Sequence, residues 1–250
     1  MRLRLDIFST SIRRLFLLVG LGFALTACAM APAPTGISDP YEGQNRAIHG
    51  FNKAVDRTLL KPTASTYKSV APGLVRTGIN NVAANLSLPG IVLNDLLQLK
   101  LGAAFHNTTR FALNSTFGLA GLLDVATQNK LPGLPNDFGQ TLYVWGAPEG
   151  AYTELPFFGP STQRDAVGIA VDFAVNPTKY LLQPGQRQLG TAAKLLEKLD
   201  DRNKYAGLVD SVLYGSDDSY AQSRLLYLQS RRRELSGELN ESQLEDPYAN

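Results

Sequence analysis

The segment STQRDAVGIAVDFAVN, residues 161–176, decides how the rest of the chain is interpreted. It opens with residues typical of a helix N-terminus, and from Ala166 to Val175 it is apolar on every side except at Asp172. A helix without a polar face is either buried in protein or in contact with lipid. The segment is also shorter than the roughly 20 apolar residues that span a bilayer. It therefore predicts a helix that is buried or that lies against lipid without crossing a membrane.

On both sides of this segment, apolar residues recur at the three- and four-residue steps of helices. Strands are only weakly indicated, because 142–145 and 152–155 could pair but are crowded by proline and glycine. The prediction is an all-α fold, a single domain over residues 39–236. The first predicted helix starts at Asp39-Pro40 and ends at Lys61-Pro62. Further helices are predicted over 72–86, 89–97, 100–116, 121–127, 137–145, 186–204 and 217–236.

The N-terminus is typical of an exported lipoprotein. Residues 1–27 carry four arginines and then a short apolar stretch, which ends at Leu25-Thr26-Ala27-Cys28. This pattern predicts a signal peptide over 1–27. Its Leu-x-Ala-Cys ending resembles a bacterial lipobox, and this resemblance implies acylation of Cys28 and a lipidated Pro-rich tether over 28–38. The alternative is an ordinary signal peptide followed by a free cysteine. Ala29 is compatible with delivery to the outer membrane.

Charge gives no support to nucleic-acid binding. The whole chain has a formal net charge of +2, but residues 1–27 contribute +3 of it, so that the mature chain would carry −1. The acidic residues of 237–250 stand among few apolar ones, and the composition predicts a disordered tail there.

The residues that catalysis needs are scarce. The chain has two histidines, His49 and His106, and one cysteine, so no Cys/His metal cluster is expected. His106 is interpreted as a core or surface histidine on a helix. Asp165 and Asp172 share a helical face and could form an acid pair, although capping and hydrogen bonding explain them equally well. The sequence predicts neither an enzyme nor a cofactor.

A chain of short motifs over residues 39–230 resembles the MlaA (VacJ) family of lipoproteins, which act in phospholipid transport at the outer membrane. The chain departs from the family at Gln44, where an aromatic residue is more frequent. The motifs include DPYEGQNR (39–46), TRFALNSTFGLAG (109–121), DFGQTL (137–142), GPSTQRD (159–165) and SYAQSRLLYL (219–228). The residues singled out from them are Asp39, Pro40, Glu42, Asn45, Arg46, Phe138, Gly139, Thr141, Gly159 and Ser161.

The resemblance implies an all-α ring in the inner leaflet of the outer membrane, facing the periplasm. A channel through the ring would admit phospholipids that have strayed into the outer leaflet and pass them to a periplasmic carrier, MlaC in the family. Trimeric porins would hold the protein in place, and lipid asymmetry would be maintained. Two alternatives remain open: a structural lipoprotein associated with porins, and an envelope phospholipase.

A site hypothesis follows from the resemblance. The helix 161–176 would contact acyl chains, while polar residues among Asn45, Arg164, Asp165 and Asp172 would face headgroups or line the channel. Because an unpaired charge in such a place is costly, Arg164 is expected to pair with Asp165 or Asp172.

Overall fold

The computed structural model describes residues 36–237, so Cys28, the signal peptide 1–27 and nearly all of the tail 237–250 lie outside the described residues. Within these residues the chain is mainly helical, with one two-stranded sheet, which confirms the predicted all-α class. The helices are α1 (Glu42–Val55), α2 (Lys61–Val70), α3 (Gly73–Leu97), α4 (Leu101–Thr116), α5 (Val125–Gln128), α6 (Phe138–Val144), α7 (Gln163–Val175), α8 (Thr178–Leu181), α9 (Pro184–Lys204), α10 (Ala206–Tyr214) and α11 (Ser219–Ser236). A π-helical turn (Asp56–Leu60) joins α1 to α2, and the strands are β1 (Tyr152–Leu155) and β2 (Gly159–Thr162).

Two prolines were wrongly predicted to end or separate helices. Pro62 lies in the first turn of α2, directly after the π-helical turn, where a missing N–H costs little. Pro89 lies inside α3, so the two helices predicted over 72–86 and 89–97 are one. Packing of α3 against α4 and α9 supports a helix that its own sequence would interrupt.

The pairing that the sequence weakly indicates between 142–145 and 152–155 does not form. Residues 142–144 belong to α6, which Asp137 caps by accepting the Gln140 N–H at 2.8 Å. The partner of β1 is β2, in antiparallel register from Tyr152 opposite Thr162 to Leu155 opposite Gly159. Ser161 therefore lies in a strand, and Thr162 is the N-cap of α7. Helices α8 and α10 were not predicted.

The distribution of side chains is the reverse of that in most globular domains. Within residues 36–237, 18 polar or charged residues are buried, against 11 buried hydrophobic residues, six of which are alanine. At the same time 31 large hydrophobic residues are exposed over the same part of the chain. The interior is joined mainly by hydrogen bonds and ion pairs, and the apolar surface faces outward.

Among the described helices, none combines the length and the hydropathy that crossing a membrane would require.

Candidate functional site

Helix α7 separates two cavities of different character. Asp165, Ile169 and Asp172 recur at four- and three-residue steps, so they share one face, and that face borders the charged cavity. Ala166 and Val167 border the other, the uncharged groove. The charged cavity is about 270 Å³ and is lined by Asp137, Pro160, Ser161, Asp165, Ile169, Asp172, Tyr227, Ser230, Arg231 and Glu234. The uncharged groove is about 500 Å³ and is lined by Tyr41, Gln44, Asn45, Ile48, Thr153, Gln163, Ala166 and Val167.

The position of α7 depends on a close approach to α6. A Cβ added to Gly168 would lie 2.5 Å from the Gly139 nitrogen and 2.8 Å from its Cα, so only glycine fits there. A Cβ on Gly139 would in turn lie 2.7 Å from the Arg231 guanidinium. The two glycines let α6, α7 and Arg231 meet at the charged cavity.

Arg231 lies between two carboxylates in the charged cavity. Its guanidinium donates to both oxygens of Asp137, at 2.8 and 2.7 Å, and to both oxygens of Asp165, at 3.3 and 3.1 Å. Tyr227 donates its hydroxyl to Asp165 at 2.6 Å. Burial opposes ionisation of Asp165, but Arg231 and Tyr227 outweigh it and hold the pKa of its carboxyl below the ordinary value. Asp165 is therefore an ionised, fully engaged group.

Asp172 has a different environment on the same face. It accepts the Asn94 side-chain amide and the Phe138 backbone N–H, both at 2.9 Å. Burial raises the pKa of its carboxyl in spite of these two bonds. No hydrogen bond joins it to Asp165, so within the described residues the two carboxylates are held separately rather than as an acid pair.

Arg164 pairs with Asp165, as expected, at 3.4 Å from its Nε. The main cation on Asp165 is nevertheless Arg231, since Arg164 stacks over the Tyr143 ring at 5.3 Å and lines neither cavity. Its Nη2 atom is buried and has no hydrogen-bond partner among residues 36–237.

Asn45 borders the uncharged groove and attaches α1 to β1. Its amide donates to Asp39 at 2.9 Å and to the Tyr152 carbonyl at 3.1 Å, and its oxygen accepts the Glu154 N–H at 3.0 Å. Asp39 also accepts from Arg224, and the pKa of its carboxyl is lowered because Tyr220, Arg224 and Asn45 outweigh burial.

Of the other motif residues, Arg46 and Thr141 also join distant elements. Arg46 donates to Glu42 at 2.7 Å and to Asp218 at 3.0 and 2.8 Å. Thr141 accepts from Gln98 at 2.9 Å and donates to Asn94 at 2.9 Å. The Phe138 ring meets Trp145 edge-on at 5.8 Å. Ser161 lines the charged cavity.

Arg231 and Tyr227 were missed as site residues. The sequence places Arg231 to Arg233 near a helix C-terminus, where cations complement the helix dipole, and that position accounts for them without a role in a site. Arg231 instead points into the cavity with 11% of its side chain exposed. The spacing of Arg224, Tyr227 and Arg231 at three and four residues could have indicated one inward face of α11.

The histidines have different surroundings. His49 Nε2 lies 3.1 Å from Ser219 Oγ, and its Nδ1 lies 3.3 Å from Glu154 Oε1, the arrangement of a nucleophile, a base and an orienting acid. All three residues are buried, and Ser219 lines neither of the two cavities. His106 is a histidine on α4 whose Nε2 lies 2.7 Å from the Pro132 carbonyl oxygen. Within residues 36–237, no three acidic, histidine or cysteine side chains group as a metal site would need.

Comparisons with known proteins agree with this architecture. A sequence profile of the family described as "MlaA lipoprotein" matches residues 37–234. The "Intermembrane phospholipid transport system lipoprotein MlaA" of Escherichia coli K12 is 34% identical over 212 residues, covering 82% of each chain. An uncharacterized protein of Rickettsia felis is 33% identical over 189 residues, 75% of this chain and 74% of that one.

A solved structure described as "Structural basis for maintenance of bacterial outer membrane lipid asymmetry" has a similar fold. The TM-score is 0.65 at 32% sequence identity, covering 80% of this chain and 99% of the other. With a profile match over nearly all the described residues, the chain belongs to the MlaA lipoprotein family.

Proposed function

We propose that this chain is the lipoprotein of an intermembrane phospholipid transport system, anchored in the outer membrane through acylated Cys28. It removes mislocalised phospholipids from the outer leaflet and so maintains lipid asymmetry. The names of the E. coli relative and of the similar solved structure support this assignment.

The observation that carries the proposal is the reversed distribution of side chains. The exposed hydrophobic residues include Phe105, Phe117, Phe157 and Phe173, each with at least 70% of its surface accessible. Water-facing surfaces rarely carry so much apolar area, because exposing it costs about 25 cal/mol per Å². Acyl chains of the inner leaflet, on its periplasmic side, would remove that cost without a spanning helix.

The two sides of α7 fit the two ends of a phospholipid. The uncharged groove, with Ile48, Ala166 and Val167 among its walls, suits an acyl chain. The charged cavity, where Arg231 lies beside Asp165 and Asp172, suits a polar headgroup. In the proposed path, Asn45, Arg164, Asp165 and Asp172 contact headgroups or hold the groups that do.

The remaining parts of the proposal concern partners and shape. By resemblance to the family, the helices form a ring around a lipid channel, trimeric porins hold the protein in place, and an MlaC-like periplasmic carrier receives the lipid. None of these steps requires hydrolysis, a metal or another cofactor.

Deletion of the gene tests the assignment directly. We expect phospholipid in the outer leaflet to rise, measured as the fraction hydrolysed when phospholipase is added to intact cells, and to return to normal when the gene is restored. An unchanged outer leaflet would overturn the transport assignment. If the outer leaflet were unchanged but the protein copurified with porins from cells that carry the gene, the structural, porin-associated alternative would replace the transport assignment.

A variant tests the role of the cavity. Asp172→Ala should raise surface phospholipid, because it removes the acceptor of the Asn94 amide and the Phe138 N–H. The matched control is Asp201→Ala, which removes an exposed aspartate of α9. Full protection in cells carrying Asp172→Ala would contradict the proposed role of this carboxylate.

A phospholipase is the second candidate, because His49 lies between Ser219 and Glu154. Two features oppose it. The Lys53 ammonium donates to Ser219 Oγ at 3.3 Å, and Asp218 already accepts the Ala221 N–H at the start of α11, where an oxyanion would need free donors. Release of fatty acid by the purified protein, abolished by Ser219→Ala, would establish the enzyme. Ser219→Ala with unchanged surface phospholipid is the result expected here.

A further inference from the structure

Three cations collect around one aromatic ring where α1, the π-helical turn and α2 pass the end of α10. Lys53 Nζ lies 5.6 Å from the centre of the Tyr214 ring, Arg57 Cζ 5.1 Å and Lys61 Nζ 5.2 Å. No two of the cations can therefore be more than about 11 Å apart, near the distance over which salt screens charges. We call Lys53, Arg57 and Lys61 the basic cluster.

Nearby carboxylates only partly neutralise the basic cluster. Asp56 is held by Arg202 at 2.7 and 2.9 Å, and Arg202 also reaches Asp210 at 2.6 Å. Lys61 pairs with Asp210 at 2.8 Å, while Lys53 and Arg57 have no carboxylate partner within residues 36–237. Counting Asp56 and Asp210, the two carboxylates paired within this group, against the basic cluster and Arg202 leaves two positive charges in excess. Like charges held this closely repel one another unless an anion joins them.

Apolar side chains lie directly beside the basic cluster. Leu59 and Leu60 of the π-helical turn are 58% and 38% exposed. Phe51, two residues before Lys53, meets Phe157 of the β1–β2 turn edge-on at 5.2 Å, and the two residues are 45% and 70% exposed. Basic side chains next to exposed leucine and phenylalanine are typical of segments that lie at the interface between headgroups and acyl chains.

We propose that the basic cluster is a binding surface for anionic phospholipid headgroups of the leaflet in which the protein lies. The phosphates would bridge Lys53, Arg57 and Lys61 while Leu59 and Leu60 enter the acyl region, which sets the depth and tilt of α1 and α2. This inference rests on the proposed membrane function, but concerns lipids that surround the protein rather than lipids that it moves.

Charge complementarity and the apolar neighbours both favour a lipid surface over other anions. A soluble anion would leave Leu59, Leu60, Phe51 and Phe157 in water. An acidic protein segment would match the charge but would need its own apolar residues opposite them. A leaflet containing anionic lipid supplies both at once, because headgroup phosphates lie within a few ångströms of acyl chains.

The test uses the acylated protein reconstituted into vesicles. Electron paramagnetic resonance of spin-labelled phosphatidylglycerol and of spin-labelled phosphatidylethanolamine measures how strongly each lipid associates with the protein surface. We expect the wild type to prefer phosphatidylglycerol. The triple variant Lys53→Gln, Arg57→Gln, Lys61→Gln should reduce that preference at least about threefold, and added salt should reduce it in the wild type.

A matched control removes the same charge elsewhere. Lys68→Gln, Lys100→Gln, Lys130→Gln neutralises three exposed lysines outside the basic cluster and should leave the preference unchanged. Unfolding by urea verifies that both variants are folded. An equal preference in the wild type and the basic-cluster variant would overturn the proposal. Loss of the preference on adding inorganic phosphate at constant ionic strength would also overturn it, because that result indicates a free-anion site. An effect of the variant on porin or carrier binding alone would overturn it as well.

This outcome is independent of the transport assignment. The vesicle measurement contains no second membrane and no carrier, so it can succeed while the deletion strain shows normal asymmetry. Conversely, a deletion strain that loses asymmetry leaves the lipid preference to be decided by the vesicles.

Discussion

The two sides of α7 differ in charge and in what they contact. One side meets α6 and α11 through the ion pairs of Asp165 and Arg231, and the other borders a groove without a charged side chain. The charged side connects helices, whereas the uncharged side is open. The comparison teaches that ion pairs between charged side chains hold these helices together, while apolar surface remains available for ligands.

The reason lies in the solvent proposed for the outer surface. In water, burial of apolar side chains drives helices together. Where acyl chains surround the helices this driving force is weak, and hydrogen bonds and close packing take over. The buried side chains of Asn45, Asn94 and Asn107 extend the same principle beyond the charged cavity. Substitutions on the charged side of α7 should therefore lower the free energy of unfolding more than substitutions in the uncharged groove.

Removal of the central cation should have the largest effect. Arg231→Met leaves Asp165 buried without its main counter-ion, and breaking a buried pair from one side costs about 3–5 kcal/mol. Urea unfolding of the purified protein measures the loss. Arg233→Met, which removes an exposed arginine of the same helix, is the control. Equal stabilities of the two variants would show that the ion pairs do not hold α7 to α11.

The contact between α6 and α7 should be second. Gly168→Ala places a Cβ 2.5 Å from the Gly139 nitrogen, and such overpacking costs about 1–3 kcal/mol. Gly207→Ala is the matched change, since a Cβ at this helical position meets nothing within 4 Å and should be neutral or slightly stabilising. Equal denaturant midpoints for the two variants would contradict the close approach of α6 and α7.

The two carboxylates of α7 should respond to pH in opposite directions. The lowered pKa of Asp165 means that its ionised form stabilises the fold above the unfolded pKa of about 4, and that this stability is lost as the pH falls through the folded value. The raised pKa of Asp172 means that protonation adds stability as the pH falls through it. As the pH is lowered from 7 to 3, the difference in free energy of unfolding between the wild type and Asp165→Asn should therefore become smaller. Over the same pH range, the free energy of unfolding of the wild type should exceed that of Asp172→Asn by an increasing amount. Parallel profiles for the two variants would contradict the assigned environments.

A charge in the uncharged groove should have the smallest effect on folding. Val167 is 53% exposed, so Val167→Glu should change the free energy of unfolding by less than about 0.5 kcal/mol. It should nevertheless raise surface phospholipid in cells, because an acyl chain would have to pass a carboxylate. Val167→Gln matches it in size without the charge and should retain more protection. Normal asymmetry with Val167→Glu would remove the groove from the lipid path.

Prediction from sequence succeeded where local pattern and structure coincide. The helix over 100–116, the cap of α6 at Asp137 and the apolar helix after residue 161 follow from spacing and capping alone. It failed at Pro62, which the first turn of α2 accommodates, and at Pro89, where packing between helices outweighs a residue that normally breaks them. The weak strand signal at 142–145 was misleading, because residues 142–144 carry β-favouring side chains but lie in a capped helix.

By itself the sequence determined the helical class, the short apolar segment and the set of motifs that places this chain in its family. These depend on residues that are neighbours in the chain, where periodicity and turn chemistry act directly. Only the tertiary structure decided what surrounds α7. Asp165 and Arg231 are 66 positions apart, and Gly168 and Gly139 are 29 apart, so no local rule relates them. The fold brings them together because three helices must meet there without an apolar core, and it thereby leaves the opposite face of α7 open.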